Sequence, residues 1–222
     1  MSFSPASSTA IGSKTAIRHS SEQAPLVLVV DDDADVRDSL ADLLGSVGIE
    51  TELFSATGDL LRAGIPNRPC CLILDLRLPG AGGLELQAKL AEMQERVPVI
   101  FLTGYADVST SVRAMKAGAV DFLPKPFRDQ ELLDAVSSAL RLDVERRLGE
   151  TSLRETQQLA ESLTPREIDV LRGVRRGLLN KQIAFEMGIS EITVKMHRSN
   201  AGRKLKVVSV ADMVRKIVLL DL

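Results

Sequence analysis

The stretch from Leu26 to Val36, LVLVVDDDADV, runs an apolar segment directly into Asp31, Asp32, Asp33 and Asp35. Carboxylates this close repel one another, so they are either solvated separately in a turn or gathered around something positive. Three residues far along the chain bear on the choice. Asp75 ends the apolar run CCLILD, Thr103 ends VIFLT, and Lys125 follows the last such run in DFLPKPF. If these runs are neighbouring parallel strands, Asp31, Asp32 and Asp75 converge at one edge. Three acids there suit a hard divalent cation held by oxygens, such as Mg²⁺ with several waters retained, and the cation offsets the repulsion. Lys125 and Thr103 bring an ammonium and a hydroxyl to the same edge. Acids, metal, lysine and hydroxyl together make a site for a phosphoryl group, with positive charge aimed at its oxygens. Asp33 and Asp35 read as helix-start acids, favoured in a first helical turn, and not as ligands.

The elements that must position these groups follow from periodicity. Apolar runs predict strands over 26–31, 50–54, 70–75, 97–102 and 119–124, and amphipathic stretches between and after them predict helices over 35–46, 56–63, 83–94, 109–117 and 129–140. Strict alternation of strand and helix argues for an α/β domain with a parallel sheet covered on both faces. In such sheets ligands bind at the carboxyl edge, where the strand order reverses. The glycines of PGAGG, residues 79–83, follow the third strand without the spacing of a phosphate-cradling turn, and read as loop-forming only.

The bulk numbers agree with two domains. The chain has 222 residues, 26% charged and 45% hydrophobic, the composition of a soluble globular protein. No apolar run approaches the roughly 18 residues of a membrane helix. The Ser- and Thr-rich residues 1–24 lack the apolar segment of a signal peptide and read as a disordered tail on a cytoplasmic protein. Cys70 and Cys71 are adjacent on a predicted strand, which points to buried free thiols. Charge is divided unevenly: from Leu163 onward there are 12 Lys and Arg against 6 Asp and Glu, leaving 16 against 24 in the rest. An acidic front and a basic back imply different partners.

The basic part is helical in pattern. LTPREIDVLRGVRRG opens with a Thr-x-x-Glu capping box at Thr164 and Glu167, carries Pro165 at the first helical position and stops at Gly177. A second short helix ends at Gly188, a third is capped by Ser190, and SVADMVRKIVLL makes a fourth. The middle pair is a helix-turn-helix whose longer member, EITVKMHRSNAGRKLK, is rich in Lys and Arg and suited to the DNA major groove. Between the domains, residues 142–162 have one Gly, no Pro and many charges, and read as a helical linker.

In order and at the usual separations, VVDDD, LILDLRLPG, FLTG and DFLPKPF resemble the receiver domain of two-component response regulators. LTPREIDVL, GLLNKQIA, GIS, TVKMHRSN and RKL resemble the LuxR-type helix-turn-helix domain, the pairing found in response regulators of the FixJ and NarL kind. The resemblance implies a flavodoxin-like, doubly wound (βα)5 receiver over 25–141 and a small all-α DNA-binding domain over 163–222. It implies Asp75 as phosphoacceptor; Asp31, Asp32 and Asp75, with the backbone carbonyl of Arg77, as Mg²⁺ ligands; Lys125 as the phosphate-pairing lysine; and Thr103 and Phe122 as switch residues. Lys195, Met196 and Ser199 would reach base edges, while Lys181, Thr193, Arg198, Arg203 and Lys204 would contact phosphates, which position without specifying. Ile183, Ala184, Ile189, Val194 and Leu205 would be core, and His197 would pack beside the first helix of the domain. A cis bond is implied between Lys125 and Pro126. The implied partners are a sensor histidine kinase, promoter DNA, a second copy of the phosphorylated chain and RNA polymerase, with no membrane. The implied function is transcription regulation by phosphorylation and not enzymatic turnover.

Two rivals stand beside this reading. A phosphorylation-independent DNA-binding protein could use the first domain only as an interaction module. A phosphohydrolase of the haloacid dehalogenase type needs Asp-x-Asp-x-Thr/Val, but Asp35 stands at the last of those positions after Asp31 and Asp33. One departure lies in the recognition helix, where Ala201 and Gly202 replace two bulky apolar residues. Loss of packing and the helix cost of glycine predict an underpacked helix that frays beyond Asn200.

Overall fold

The computed structural model describes residues 24–104 and 108–222, so the expectation of a disordered tail falls almost wholly outside the described residues. The chain divides into two compact units, with the boundary between Leu133 and Asp134.

In the first unit, strands β1 (Leu26–Val30), β2 (Glu50–Phe54), β3 (Cys70–Asp75), β4 (Val99–Thr103) and β5 (Asp121–Pro124) alternate with helices α1 (Ala34–Ser46), α2 (Thr57–Ala63), α3 (Gly83–Glu92) and α4 (Val108–Lys116). All strand pairs are parallel, in the order β2-β1-β3-β4-β5. This is the doubly wound α/β arrangement that alternation implied, and the order reverses between β1 and β3. Strands β1 and β4 and the apolar residues of β3 are buried, as continuous Val, Ile and Leu runs demand when helices cover both faces. β4 starts two residues later than periodicity suggested, because Pro98 has no N–H for the ladder; its carbonyl still accepts from Leu72. Cys70 and Cys71 are buried and are not joined in a disulfide. Asp33 caps α1, accepting from the backbone N–H groups of Asp35 and Val36, as a helix-start acid should.

Helix α5 (Asp129–Ala160) is continuous for 32 residues, so the charged connector prolongs the fifth helix without a break. Ion pairs one turn apart support it: Asp143 pairs with Arg146 and Arg147, and Arg146 with Glu150.

The second unit continues with α6 (Pro165–Arg175), α7 (Asn180–Met187), α8 (Glu191–Lys204) and α9 (Val210–Leu219). Thr164 and Glu167 form the expected capping box and Ser190 caps α8. Gly177 and Gly188 take positive φ of 76° and 63° just past their helices, a conformation that favours glycine. Val170, Leu171, Ile183, Ala184, Val194, Ala201, Leu205, Met213 and Ile217 share one core, with Ile189 packed against it.

The expected fraying of α8 does not occur. The helix runs on to Lys204, Ala201 and Gly202 are buried, and a Cβ at Gly202 would meet Met213 Cε at 3.1 Å. The bulk missing from α8 at Gly202 is supplied by a methionine from α9.

Candidate functional site

Register brings the acidic residues together. Val30 pairs with Leu74 across β1 and β3, so Asp31, one residue on, stands beside Asp75 at the carboxyl edge. Asp75 pairs with Leu102 and Thr103 with Pro124, which sets Thr103 and Lys125 along the same edge. Carboxylate oxygens of Asp31, Asp32 and Asp75 lie within 4.8 Å of one another. Lys125 Nζ donates to Asp31 Oδ2 at 2.6 Å and to Asp75 Oδ2 at 2.8 Å. The remaining oxygens are aimed by backbone: Arg77 N–H donates to Asp75 Oδ1 at 2.9 Å and Asp33 N–H to Asp31 Oδ1 at 3.0 Å. Lys125 is itself tied down, its N–H donating to the Thr103 carbonyl at 2.6 Å, and the Lys125–Pro126 bond is cis.

The site is short of positive charge. The Asp31 side chain is 1% exposed and that of Asp75 12%. Burial pushes the Asp31 carboxyl above the usual aspartate value, and the hydrogen bond from Lys125 offsets this only in part. Burial alone would lower Lys125, but its hydrogen bonds to Asp31 and Asp75 outweigh that and hold the ammonium above the ordinary lysine value. Three carboxylates around one ammonium carry a charge of about −2 when all are ionised. An all-oxygen donor set of that charge fits a hard divalent cation.

Thr103 is fully buried at the end of β4. Phe122 is half-buried on β5, its ring 6.4 Å from that of Phe101 and tilted by 45°. Arg77 is exposed, with its N–H directed at Asp75. Two supporting residues carry no motif. Arg37 Nη1 donates to the Asp31 carbonyl at 2.6 Å, and its only trace in the sequence is a basic residue in the first turn of α1. Gly83 opens α3 where the predicted helix over 83–94 begins, but it is more than loop-forming: it lies against β3, where a Cβ would come 2.6 Å from the Asp75 carbonyl oxygen. A glycine opening a helix directly behind a strand-end acid was its available signal.

The basic site is the exposed surface of α7 and α8. Lys181, Lys195, Met196, Ser199 and Arg203 are exposed, and Thr193 is half-buried with its hydroxyl 2.8 Å from that of Ser190. Arg203 bonds Asn200 on its own helix, and the half-buried Arg198 donates to Asn180 Oδ1 at 3.3 Å, joining the two helices of the motif. His197 is half-buried. Lys204, expected among the phosphate contacts, has partners within its own unit. Its Nζ donates to the buried carboxylate of Glu167 at 2.7 Å and to the Ser162 carbonyl at 2.8 Å, so its charge is committed within the unit. Arg175 is similarly tied to Asp221 and the Leu222 carbonyl.

Comparison with known proteins finds both units in described families. Residues 27–137 match the response regulator receiver domain, and residues 161–217 match the bacterial regulatory proteins of the luxR family. The chain is 47% identical over 190 residues to Nodulation protein W of Bradyrhizobium diazoefficiens, covering 86% of this chain and 84% of that protein. It is 45% identical over 202 residues to Response regulator protein TodT of Pseudomonas putida, covering 91% and 89%. Among solved structures, response regulator StyR aligns with a TM-score of 0.75 at 47% identity, over 88% of this chain and 98% of that one. Among the described residues, no helix is long and apolar enough to cross a membrane.

Proposed function

Because the chain belongs to the two-component response regulators that join a receiver domain to a LuxR-type DNA-binding domain, we propose that Asp75 accepts a phosphoryl group from a sensor histidine kinase. This transcription regulator would then bind promoter DNA more tightly as a dimer. The observation that carries this reading is the bridge from Lys125 to both Asp31 and Asp75 within the acid triad. It holds Asp75 at a strand end with an ammonium already beside its outer oxygen.

In the transfer, an Asp75 carboxylate oxygen attacks phosphorus as the P–N bond to the kinase imidazole breaks, and the nitrogen leaves with the electron pair. The product is an aspartyl phosphate carrying a charge of about −2. Asp31, Asp32, Asp75 and the Arg77 carbonyl would hold Mg²⁺, which would supply positive charge to the phosphoryl group. Lys125 exchanges its bond to Asp75 for one to the phosphoryl group. Arg77 N–H and the buried backing of β3 keep the accepting carboxylate in line. Thr103 turns its hydroxyl to the new oxygens and Phe122 follows, altering the surface of α4, β5 and the start of α5. A second phosphorylated copy pairs through that surface. The dimer sets two α8 helices on half-sites one or a few helical turns apart, with contact to RNA polymerase as the output. Lys181, Thr193, Arg198 and Arg203 hold the phosphate backbone, and Lys195, Met196 and Ser199 face base edges.

The test is phosphate incorporation from a small-molecule phosphodonor with Mg²⁺, followed by promoter titration, for wild type and Asp75→Asn. Incorporation and tighter binding by wild type alone support the switch. Equal binding by both proteins, with or without donor, overturns it and leaves the receiver as an interaction module.

A further inference from the structure

Helix α8 carries two bulky apolar side chains side by side on its outer face. Ile192 is 79% exposed and Met196 is 51% exposed, and they lie four residues apart on one face. At about 100° per residue, Val194 and Ala201 mark the buried side of the helix, and Ile192, Met196, Ser199 and Arg203 form the ridge diametrically opposite. That ridge is the part of a recognition helix that goes deepest into a major groove, and residues of its N-terminal half meet the base edges. Lys195 flanks the ridge, and the unit carries excess positive charge, so the complementary surface is anionic.

We propose that Ile192, together with Met196, reads thymine methyl groups, making Ile192 a determinant of sequence specificity and the operator half-site one with thymines facing the first turn of α8. The inference rests on the DNA-binding reading of this helix. Among the groups a base pair displays in the major groove, the thymine C5-methyl is the one apolar substituent that projects towards the protein, cytosine offering only a hydrogen there, and a branched aliphatic side chain has no hydrogen bond to offer the polar groups. Ser190 and Thr193 are occupied in capping the helix: the Thr193 N–H donates to Ser190 Oγ at 3.1 Å, and the two hydroxyls lie 2.8 Å apart. Ile192 is therefore the first side chain of α8 aimed outward that is neither acidic nor committed to the cap. Its exposure also means that truncation leaves the core of the unit untouched.

The experiment selects binding sites for the full-length wild type from randomised duplex DNA, then replaces each selected thymine in turn by deoxyuridine, which removes only the methyl group. The proposal expects one or two positions per half-site where the replacement weakens wild type by about three- to fivefold per methyl. Ile192→Ala should bind the thymine site less tightly and be indifferent to deoxyuridine at the same positions, the signature of a direct pair. Equal sensitivity of wild type and Ile192→Ala, or no sensitivity in either, overturns the role of Ile192 while leaving DNA binding in place. Failure of the wild type to enrich any sequence overturns the DNA-binding reading itself.

Discussion

Gly83 is the point where helix α3 comes down on the end of β3: a Cβ there would lie 2.6 Å from the carbonyl oxygen of Asp75 and 3.0 Å from the Phe101 ring. The obstacle is backbone, which cannot swing aside as the tip of a side chain can. Gly83→Ala therefore has to separate α3 from the strand that carries the Asp75 carboxylate, the proposed acceptor. The expected cost is about 1–3 kcal/mol in urea unfolding, with slower phosphate incorporation at Asp75. Gly82→Ala, whose Cβ would sit 3.6 Å from the Leu76 carbonyl, should leave the rate unchanged. Equal rates for both variants would show that the close approach is not needed for acceptance.

Much of this arrangement was legible in the sequence because the relevant signals are periodic or terminal. Continuous apolar runs ending in Asp31, Asp75 and Thr103 announced parallel strands and a polar edge, and parallel register then leaves little freedom in where those residues meet. Gly83 was missed because a glycine's meaning lies in what approaches it, and approach is a tertiary property. The pairing of Lys204 with Glu167 went unseen for a related reason. A lysine on a basic helix looks the same whether it faces phosphate or reaches back to an acid 37 residues earlier. The packing of Met213 on Gly202 was equally invisible, since it depends on where α9 crosses α8.

Lys125 holds two mostly buried carboxylates together, so removing its ammonium should be felt in stability as well as chemistry. Lys125→Ala leaves Asp31 and Asp75 facing one another without a counter-charge. Breaking a buried pair from one side costs about 3–5 kcal/mol. Millimolar Mg²⁺ should recover more melting temperature in this variant than in wild type, because the cation then supplies the only positive charge among the three acids. Thermal melts with Mg²⁺ and with chelator measure both effects. An identical Mg²⁺ increment in the two proteins would remove the acid triad as the metal's binding place.

Glu167 gives the second unit a predictable response to acid. Burial would raise its pKa, but the hydrogen bond from Lys204 and those from Thr164 outweigh that and hold the carboxyl below the usual glutamate range. A folded-state value below the unfolded one means that the ionised form favours folding. This contribution is complete above the unfolded value and is lost as pH falls through it towards the folded value. Wild type should therefore melt higher than Glu167→Gln at neutral pH, and the gap should close on acidification. Lys204→Met should destabilise at neutral pH by about 1–3 kcal/mol, as expected when a buried charged acceptor loses its donor. Lys195→Met, on an exposed lysine, should not. A gap between wild type and Glu167→Gln that stays constant with pH would show that the pair contributes nothing through ionisation.

Gly202 separates two accounts of the recognition helix. Were α8 underpacked there, a large side chain would fill the space and stabilise it. The observed neighbour is Met213 Cε, 3.1 Å from where a Cβ would sit, with Val207 at 3.7 Å. One added carbon asks only that a flexible methionine tip give way by a few tenths of an ångström. Replacing glycine inside a helix by alanine also returns about 1 kcal/mol of helix propensity. Gly202→Ala should thus be neutral or slightly stabilising. Gly202→Met asks for several more atoms in a position that is already buried, and should cost about 1–3 kcal/mol. Because the displaced Met213 belongs to α9, the loss should reach the whole second unit and not the end of α8 alone. Thermal melts of the two variants, followed by amide exchange along α8 and α9, make the comparison. A stabilising Gly202→Met would restore the underpacked account and remove Met213 as the residue that completes this core.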